Sequence, residues 1–230
     1  MSRPKLPNLQ RALAAEACGT ALLVAAVIGS GIMAERLAGG NGAIALLANT
    51  IATGAALVAL ISAFSSVSGA HFNPVVTCAE AALGRMPWKR VAPYVIVQIV
   101  AAMAGALIAH VMFEMPLISW SHHQRSSVAI GFSEVVATFG LLTVVFHAAR
   151  ANSNAVPSVA AGWIMAAYWF TASTSFANPA VTIARAMSDS FAGIRPVDVL
   201  PFIVAQLIGG ALAVAFFRWL TNSAIDARGS

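Results

Sequence analysis

Two short segments of this 230-residue chain are nearly alike, and each contains an asparagine followed by a proline. Asn73-Pro74 stands in segment 71–77 and Asn178-Pro179 in segment 176–182. An asparagine amide offers two N–H donors and an acceptor oxygen, so it can exchange hydrogen bonds with a polar solute. Asn is also a preferred N-cap and Pro a preferred first helical residue. Each pair therefore predicts the start of a helix of about ten residues, half the length that crosses a bilayer.

The composition is typical of an integral membrane protein. Hydrophobic residues make up 59% of the chain and charged residues 9%, against about 25% charged residues in soluble domains, and the mean hydropathy is +0.81. Six apolar windows are long enough for a hydrocarbon core of about 30 Å, at residues 11–33, 43–64, 91–113, 128–149, 155–173 and 197–220. One Asn-Pro segment follows the second window and the other follows the fifth.

The two halves of the chain form an internal repeat. Glu16 in the first window matches Glu134 in the fourth, and Gln98 matches Gln206. Because each half has three spans, the second half must enter the membrane from the opposite side. We therefore predict an all-α membrane protein with six transmembrane helices and two re-entrant half-helices in an inverted repeat. The single domain would cover residues 1–230, with repeat one at about 10–113 and repeat two at about 128–220.

This arrangement predicts a pore. A half-helix of ten residues rises about 15 Å, so one from each side would reach the middle of the membrane. Their N-termini would meet there, each equivalent to roughly half a positive charge, which repels cations and protons. The Asn73 and Asn178 amides would donate hydrogen bonds to neutral solutes. The irregular segments before them, at about 69–72 and 175–177, would offer backbone carbonyl acceptors, which membranes tolerate only beside a wet cavity.

With these motifs, the chain resembles the aquaporin family, also called the major intrinsic proteins, over about residues 10–220. The resemblance implies passive transport by a homotetramer with one pore per subunit. It also implies that Glu16 and Glu134 accept hydrogen bonds from the backbone of the pore loops. Pro74 and Pro179 would open the half-helices, and the pore wall would include His71, Phe72, Val75 and Ala177. Val75 departs from the alanine that usually follows the first Asn-Pro pair, which would add methyl groups beside the constriction.

A second departure concerns the outer selectivity filter. In most members of the family an arginine directly follows the second motif and faces aromatic residues. Carried over by spacing from the two motifs, the filter positions here are Thr53, Ala166, Ser175 and Val181. None of them is aromatic or charged, so the resemblance implies a wide filter without a fixed positive charge. Such a filter fits small uncharged solutes, namely glycerol-like polyols, metalloid acids such as arsenous acid, and water.

Some polar residues have two interpretations. Arg185 could stand at the outer mouth and partly replace the missing arginine, or it could pair with Asp189 four residues later or anchor the end of the half-helix. His71 could titrate as a gate, or it could be a neutral residue of the pore wall. His122 and His123 have no further ligand nearby, so we expect a solvated loop and no metal site.

The distribution of charge predicts the orientation. With both termini in the cytoplasm, nine arginine and lysine residues lie inside and four outside, as the positive-inside rule requires. The net charge of +5 then reflects topology, and we expect no nucleic-acid partner and no cofactor. The protein would lie among lipids of the bacterial cell membrane. No catalytic residues emerge, while a water-selective channel, an ion-coupled carrier and a poorly conducting structural protein remain alternatives.

Overall fold

The computed structural model describes residues 8–226, with side chains as far as residue 221. Within that range the chain forms eight α-helices and no strand. The helices are α1 (Leu9–Leu37), α2 (Gly42–Ser68), α3 (Pro74–Ala82), α4 (Val91–Met112), α5 (Val128–Ala151), α6 (Val156–Phe170), α7 (Pro179–Arg185) and α8 (Pro196–Asp226). Short 3-10 turns precede α4 and α6. The predicted fold class, six long helices and two half-helices, is confirmed.

The six long helices differ in their capacity to cross a membrane. Five of the described helices are long and apolar enough to span it, whereas α6 has 15 residues. The prediction of a span over 155–173 is therefore too long, because α6 ends at Phe170. The Thr171 N–H and hydroxyl both bond to the carbonyl of Ala167, at 3.2 and 2.6 Å, and the chain then leaves the helix.

The first and last long helices of each half pack in equivalent ways, as α1 does with α4 and α5 with α8. The most extensive contacts join α1 to α4 and α1 to α2 in the first half, and α5 to α8 in the second. Close approach is possible because small residues stand at the crossings. A Cβ added to Gly105 would lie 2.4 Å from the carbonyl oxygen of Ala21, and one added to Gly209 would lie 2.5 Å from that of Val135.

The half-helices α3 and α7 begin at the two asparagines. The Asn73 side chain accepts a hydrogen bond from the Val75 N–H, and Asn178 accepts from Ala180 and Val181. The segments before them are irregular and contain five non-glycine residues with positive φ, namely Ala70, Phe72, Thr174, Ser175 and Ala177. Such residues each cost about 1–3 kcal/mol and persist only where the surroundings hold them. Other side chains must therefore fix these segments.

Candidate functional site

The two asparagines are joined by a pair of crossed hydrogen bonds. The Asn73 Nδ2 donates to the carbonyl of Ala177 at 2.8 Å, and the Asn178 Nδ2 donates to the carbonyl of Phe72 at 2.8 Å. Each side chain thus caps its own half-helix with Oδ1 and holds the opposite half with one N–H. The second N–H of each amide remains for a solute.

Glu16 holds the irregular segment of the first half. Its carboxyl oxygens accept hydrogen bonds from the backbone N–H groups of His71 and Phe72, at 2.9 and 2.7 Å. They also accept from the hydroxyl of Ser68 and from the Gln98 Nε2, at 2.7 and 2.8 Å. Glu16 is fully buried, and these four bonds fix the left-handed Phe72 whose carbonyl meets Asn178.

Glu134 does the same in the second half. It accepts from the N–H groups of Phe176 and Ala177, both at 2.9 Å, and from the Gln206 Nε2 at 2.7 Å. The Gln206 Nε2 lies 2.9 Å from the hydroxyl of Thr182, which donates to the carbonyl of Asn178.

The first half repeats this connection through Gln98, Thr77 and Asn73. Neither threonine was predicted from the sequence as part of this support. The signal was available, since each stands four residues after its asparagine.

A cavity of about 290 Å³ contains both asparagines. It reaches Glu80 on α3 and Arg185 on α7. His71, Phe72 and Ala177 line it as predicted residues of the wall. Much of the rest of the wall is aliphatic and includes Leu23, Val27, Leu57, Ile61, Leu141, Val145 and Ile164. The cavity wall is thus largely apolar and contains a smaller number of polar groups.

The prediction that Val75 belongs to the pore wall is wrong. Val75 is 2% exposed and packs in the hydrophobic core, whereas the next residue, Val76, lines the cavity. A Cβ added to Gly210 would lie 2.4 Å from the Val75 Cγ1. The additional methyl groups of Val75 therefore fill the space above a glycine of α8 and leave the pore unchanged.

The filter prediction is wrong at one of its four positions. Thr53, Ser175 and Val181 line the cavity, but Ala166 is exposed on the outer surface of α6. Tyr168 lines the cavity instead, and its hydroxyl donates to the Thr53 Oγ1 at 3.3 Å. Two residues turn a helix by about 200°, so an error of this size reverses the face. Spacing across the irregular segment before Asn178 does not determine the rotation of α6.

The filter also contains a positive charge. Arg185 is 3% exposed and lines the cavity, with its Nε donating to the carbonyl of Ala192. Its guanidinium carbon lies 3.4 Å from the ring centroid of Phe176. We define Thr53, Tyr168, Ser175, Val181 and Arg185 as the filter cluster. The expectation of a filter without an aromatic ring or a charge is therefore wrong.

The alternative pairing of Arg185 with Asp189 is wrong as well. The Asp189 carboxylate accepts from the backbone N–H and the ring Nδ1 of His122, both at 2.9 Å. These hydrogen bonds lower the pKa of Asp189 below its ordinary value. His122 thus ties the loop before α5 to the segment after α7, although its own side chain is largely exposed.

Arg125 is a second cation near the filter cluster. Its guanidinium carbon lies 5.1 Å from the Phe176 ring, and its Nε donates to the carbonyl of Gly193 at 2.8 Å. Its Nη1 also contacts the Ser173 carbonyl and the Thr174 hydroxyl, at 3.4 and 3.3 Å. Burial lowers the pKa of Arg125. The sequence offered no signal for it, because the path of a loop is not encoded in any repeat.

The chain has clear relatives. It matches the family model described as major intrinsic protein over residues 4–173 and 156–230. It is 49% identical over 217 residues to Aquaglyceroporin AqpS of Rhizobium meliloti (strain 1021), covering 94% of this chain and 93% of that protein. It is 30% identical over 224 residues to Aquaporin Z of Bradyrhizobium diazoefficiens, with 91% and 92% covered.

The fold has a solved counterpart. The X-ray structure of the aquaglyceroporin from Plasmodium falciparum matches with a TM-score of 0.75, covering 96% of this chain and 100% of that one at 17% identity. The family model, the relatives that align over more than nine-tenths of their length and the two half-helices support the same family assignment. The chain therefore belongs to the major intrinsic protein family and is a membrane channel, not an enzyme.

Proposed function

We propose that the channel passes small uncharged solutes, in particular glycerol-like polyols and metalloid acids such as arsenous acid, and that it also passes water. The observation that carries this proposal is the asparagine pair inside a cavity whose wall is largely aliphatic and also contains polar groups. A polyol has hydroxyl groups on one side of its carbon chain and C–H groups on the other. It can therefore exchange hydrogen bonds with the polar groups and contact the aliphatic side chains at once.

The same arrangement disfavours cations. Both half-helices begin at the asparagines, so their free N–H groups and the amide donors point at one place. A cation there would lose its water and gain few acceptors, since the Phe72 and Ala177 carbonyls are already engaged. A neutral solute loses less hydration and finds donors that match its oxygen atoms.

The solute assignment has support from a relative. The protein of Rhizobium meliloti that shares 49% identity carries the name aquaglyceroporin. Val181 gives the filter cluster an aliphatic side chain directly after the second motif. Both observations favour solutes larger than water.

We further infer the assembly and the orientation. Many large hydrophobic side chains on the long helices are exposed in the single chain, for example Val128 and Phe132 on α5, which supports contact with lipid and with further subunits of a homotetramer. The excess of arginine and lysine on one side supports cytoplasmic termini in a bacterial cell membrane. We assign one channel domain to residues 1–230, with its two repeats at about 10–113 and 128–220.

A reswelling experiment tests the solute. Proteoliposomes are mixed with hyperosmotic glycerol or arsenous acid, and light scattering follows the reswelling that solute entry causes. We expect rapid entry of at least one of these solutes. Rapid water efflux with both solutes excluded would overturn the assignment in favour of a water-selective channel, and no flux at all would favour a structural protein.

A pair of variants shows whether this flux uses the cavity. Val181→Trp places a large ring in the filter cluster, whereas Val128→Trp adds the same ring at a position that is 93% exposed at the start of α5. We expect the first variant to stop glycerol entry and the second to retain it. Equal flux through both folded variants would place the solute path elsewhere.

A further inference from the structure

The filter cluster contains a cation that forms no salt bridge within the described residues. Arg185 is almost completely buried, and within residues 8–221 no carboxylate lies within salt-bridge distance of it. In the same part of the chain, only its Nε donates to another residue, the carbonyl of Ala192. The remaining N–H groups of a guanidinium in a cavity wall are available to a solute.

The position of this guanidinium is fixed. It stacks on the ring of Phe176 at 3.4 Å, and the ring itself lies edge-on to Phe202 at 5.1 Å. The Phe176 N–H is held by Glu134 at 2.9 Å. Arg125 lies 5.1 Å from the same ring and bonds to backbone carbonyls. Two cations thus act on this end of the cavity. Within residues 8–221 neither guanidinium bonds to a carboxylate, although Asp198 accepts from the backbone N–H of Arg125 at 2.8 Å.

A polar side chain in the same cluster lacks a partner in the protein. The Ser175 Oγ is buried, lines the cavity and has no hydrogen bond within the described residues. Buried hydroxyls are almost always hydrogen-bonded, so a water or a solute oxygen is the expected partner. The Tyr168 and Thr53 hydroxyls line the cavity as well.

We propose that Arg185 is the charge-selecting residue of the filter cluster, and that it supplies from one turn further along α7 the positive charge that is absent at Val181. Cationic solutes are rejected at this point, before they reach the asparagine pair. Neutral solutes are retained, because Arg185 and the Ser175 hydroxyl bind their oxygen atoms. This inference rests on the proposed function, and it assigns the selection between neutral solutes and isosteric cations to a named residue.

The electrostatic potential that Arg185 creates in the filter cluster can be measured without following solute transport. Cys18 and Cys78, the two native cysteines, are replaced by serine, and Ser175→Cys places a thiol in the filter cluster. The rates of its modification by cationic aminoethyl methanethiosulfonate and by neutral methyl methanethiosulfonate are compared. Their ratio reports the local potential, because both reagents attack the same thiolate and its ionised fraction cancels.

The expected result is a change of this ratio in one variant alone. Arg185→Gln should raise the rate of the cationic reagent relative to the neutral one by roughly tenfold or more, as expected for loss of a unit charge nearby in a partly screened site. Arg185→Lys should keep the ratio low. Arg36→Gln is the matched control, since Arg36 also lies over a phenylalanine ring, Phe113 at 5.2 Å, and bonds to its carbonyl, but outside the cavity.

Two outcomes overturn the inference. The first is the same ratio of cationic to neutral modification rates in Arg185→Gln and Arg36→Gln. The second is a ratio that does not respond to salt in the cysteine variant that retains Arg185. The salt dependence tests the inference even if Arg185→Gln does not fold. If Arg185 creates a positive potential, screening at high ionic strength should raise the relative rate of the cationic reagent. Glycerol entry is measured in separate vesicles that contain the protein with its native Ser175. Its absence would refute the proposed solute, while the modification ratio would still report on Arg185.

Discussion

The contact between Val75 and Gly210 predicts how substitutions at these two positions change the stability of the protein. The Val75 Cγ1 occupies the place where a side chain at position 210 would begin, 2.4 Å from an added Cβ. Gly210→Ala should therefore force the two helices apart. Overpacking of this kind costs about 1–3 kcal/mol, and the better helix propensity of alanine offsets about 1 kcal/mol of it.

The second single variant removes volume from the same contact, where Gly210→Ala adds it. Val75→Ala removes two methyl groups from a side chain that is 2% exposed, and it leaves a cavity against Gly210. Large-to-small changes of this size cost on the order of 2 kcal/mol. Solute selectivity should not change, because Val75 does not line the cavity.

The double variant distinguishes this account from independent effects. Without the Val75 methyl groups, the closest remaining side-chain contact of an added Cβ is the Leu142 Cδ2 at 3.6 Å, which is ordinary van der Waals contact. The combination of Val75→Ala with Gly210→Ala should thus be more stable than the sum of the single effects by about 1–3 kcal/mol.

Thermal unfolding of the detergent-solubilised protein measures this coupling. For a chain of this length, 1 kcal/mol shifts the apparent Tm by roughly 2–4 °C, so the double variant should exceed the additive value by several degrees. Additive shifts in Tm would refute the packing argument. A change in glycerol flux in Val75→Ala would show that this residue acts on the pore after all.

Four further substitutions test other parts of the structure. Glu16→Gln should lower stability by about 2–4 kcal/mol, because an amide cannot accept from every donor around it and leaves a buried N–H unpaired; an unchanged Tm would contradict this. Asp189→Asn should lower stability by less than about 1 kcal/mol near neutral pH. Because its pKa is depressed in the folded protein, this contribution is present above the ordinary carboxyl pKa and disappears as the pH falls below about 4, where the Tm values of wild type and variant should converge. Val181→Arg should narrow the filter cluster and slow glycerol and arsenous acid more than water, and unchanged fluxes in the folded protein would remove Val181 from the selective region. Tyr168→Ala should widen the same region and admit longer polyols, and an unchanged size limit would argue against a role for its ring.

The parts of the fold that sequence predicts are those with local signals. Asn73-Pro74 and Asn178-Pro179 contain the cap and the first residue of their half-helices, so the two helix starts follow from four residues. Hydrophobic length predicts the long helices. The prediction of α6 fails at its end, where the chain must turn toward Asn178 and hydropathy alone gives no boundary.

The filter cluster depends on relations that no local signal encodes. Tyr168 enters the cavity because of the rotation of α6, and Arg125 approaches Phe176 because of the course of a loop. Val75 packs against Gly210 and not into the pore wall, and this contact joins residues that are far apart in the sequence. These are packing effects between distant segments, and a motif carried over by spacing does not contain them.

Glycerol entry and proton entry, followed together in one population of proteoliposomes, distinguish a channel for neutral solutes from a coupled carrier. Glycerol entry is recorded by light scattering, while a trapped pH dye reports protons under an imposed potassium diffusion potential. The structure predicts glycerol entry that is linear in its gradient and independent of the potential, with no proton leak above that of empty liposomes. Entry that saturates and requires a proton or ion gradient would contradict the account and identify a coupled carrier, as would a proton leak that accompanies glycerol.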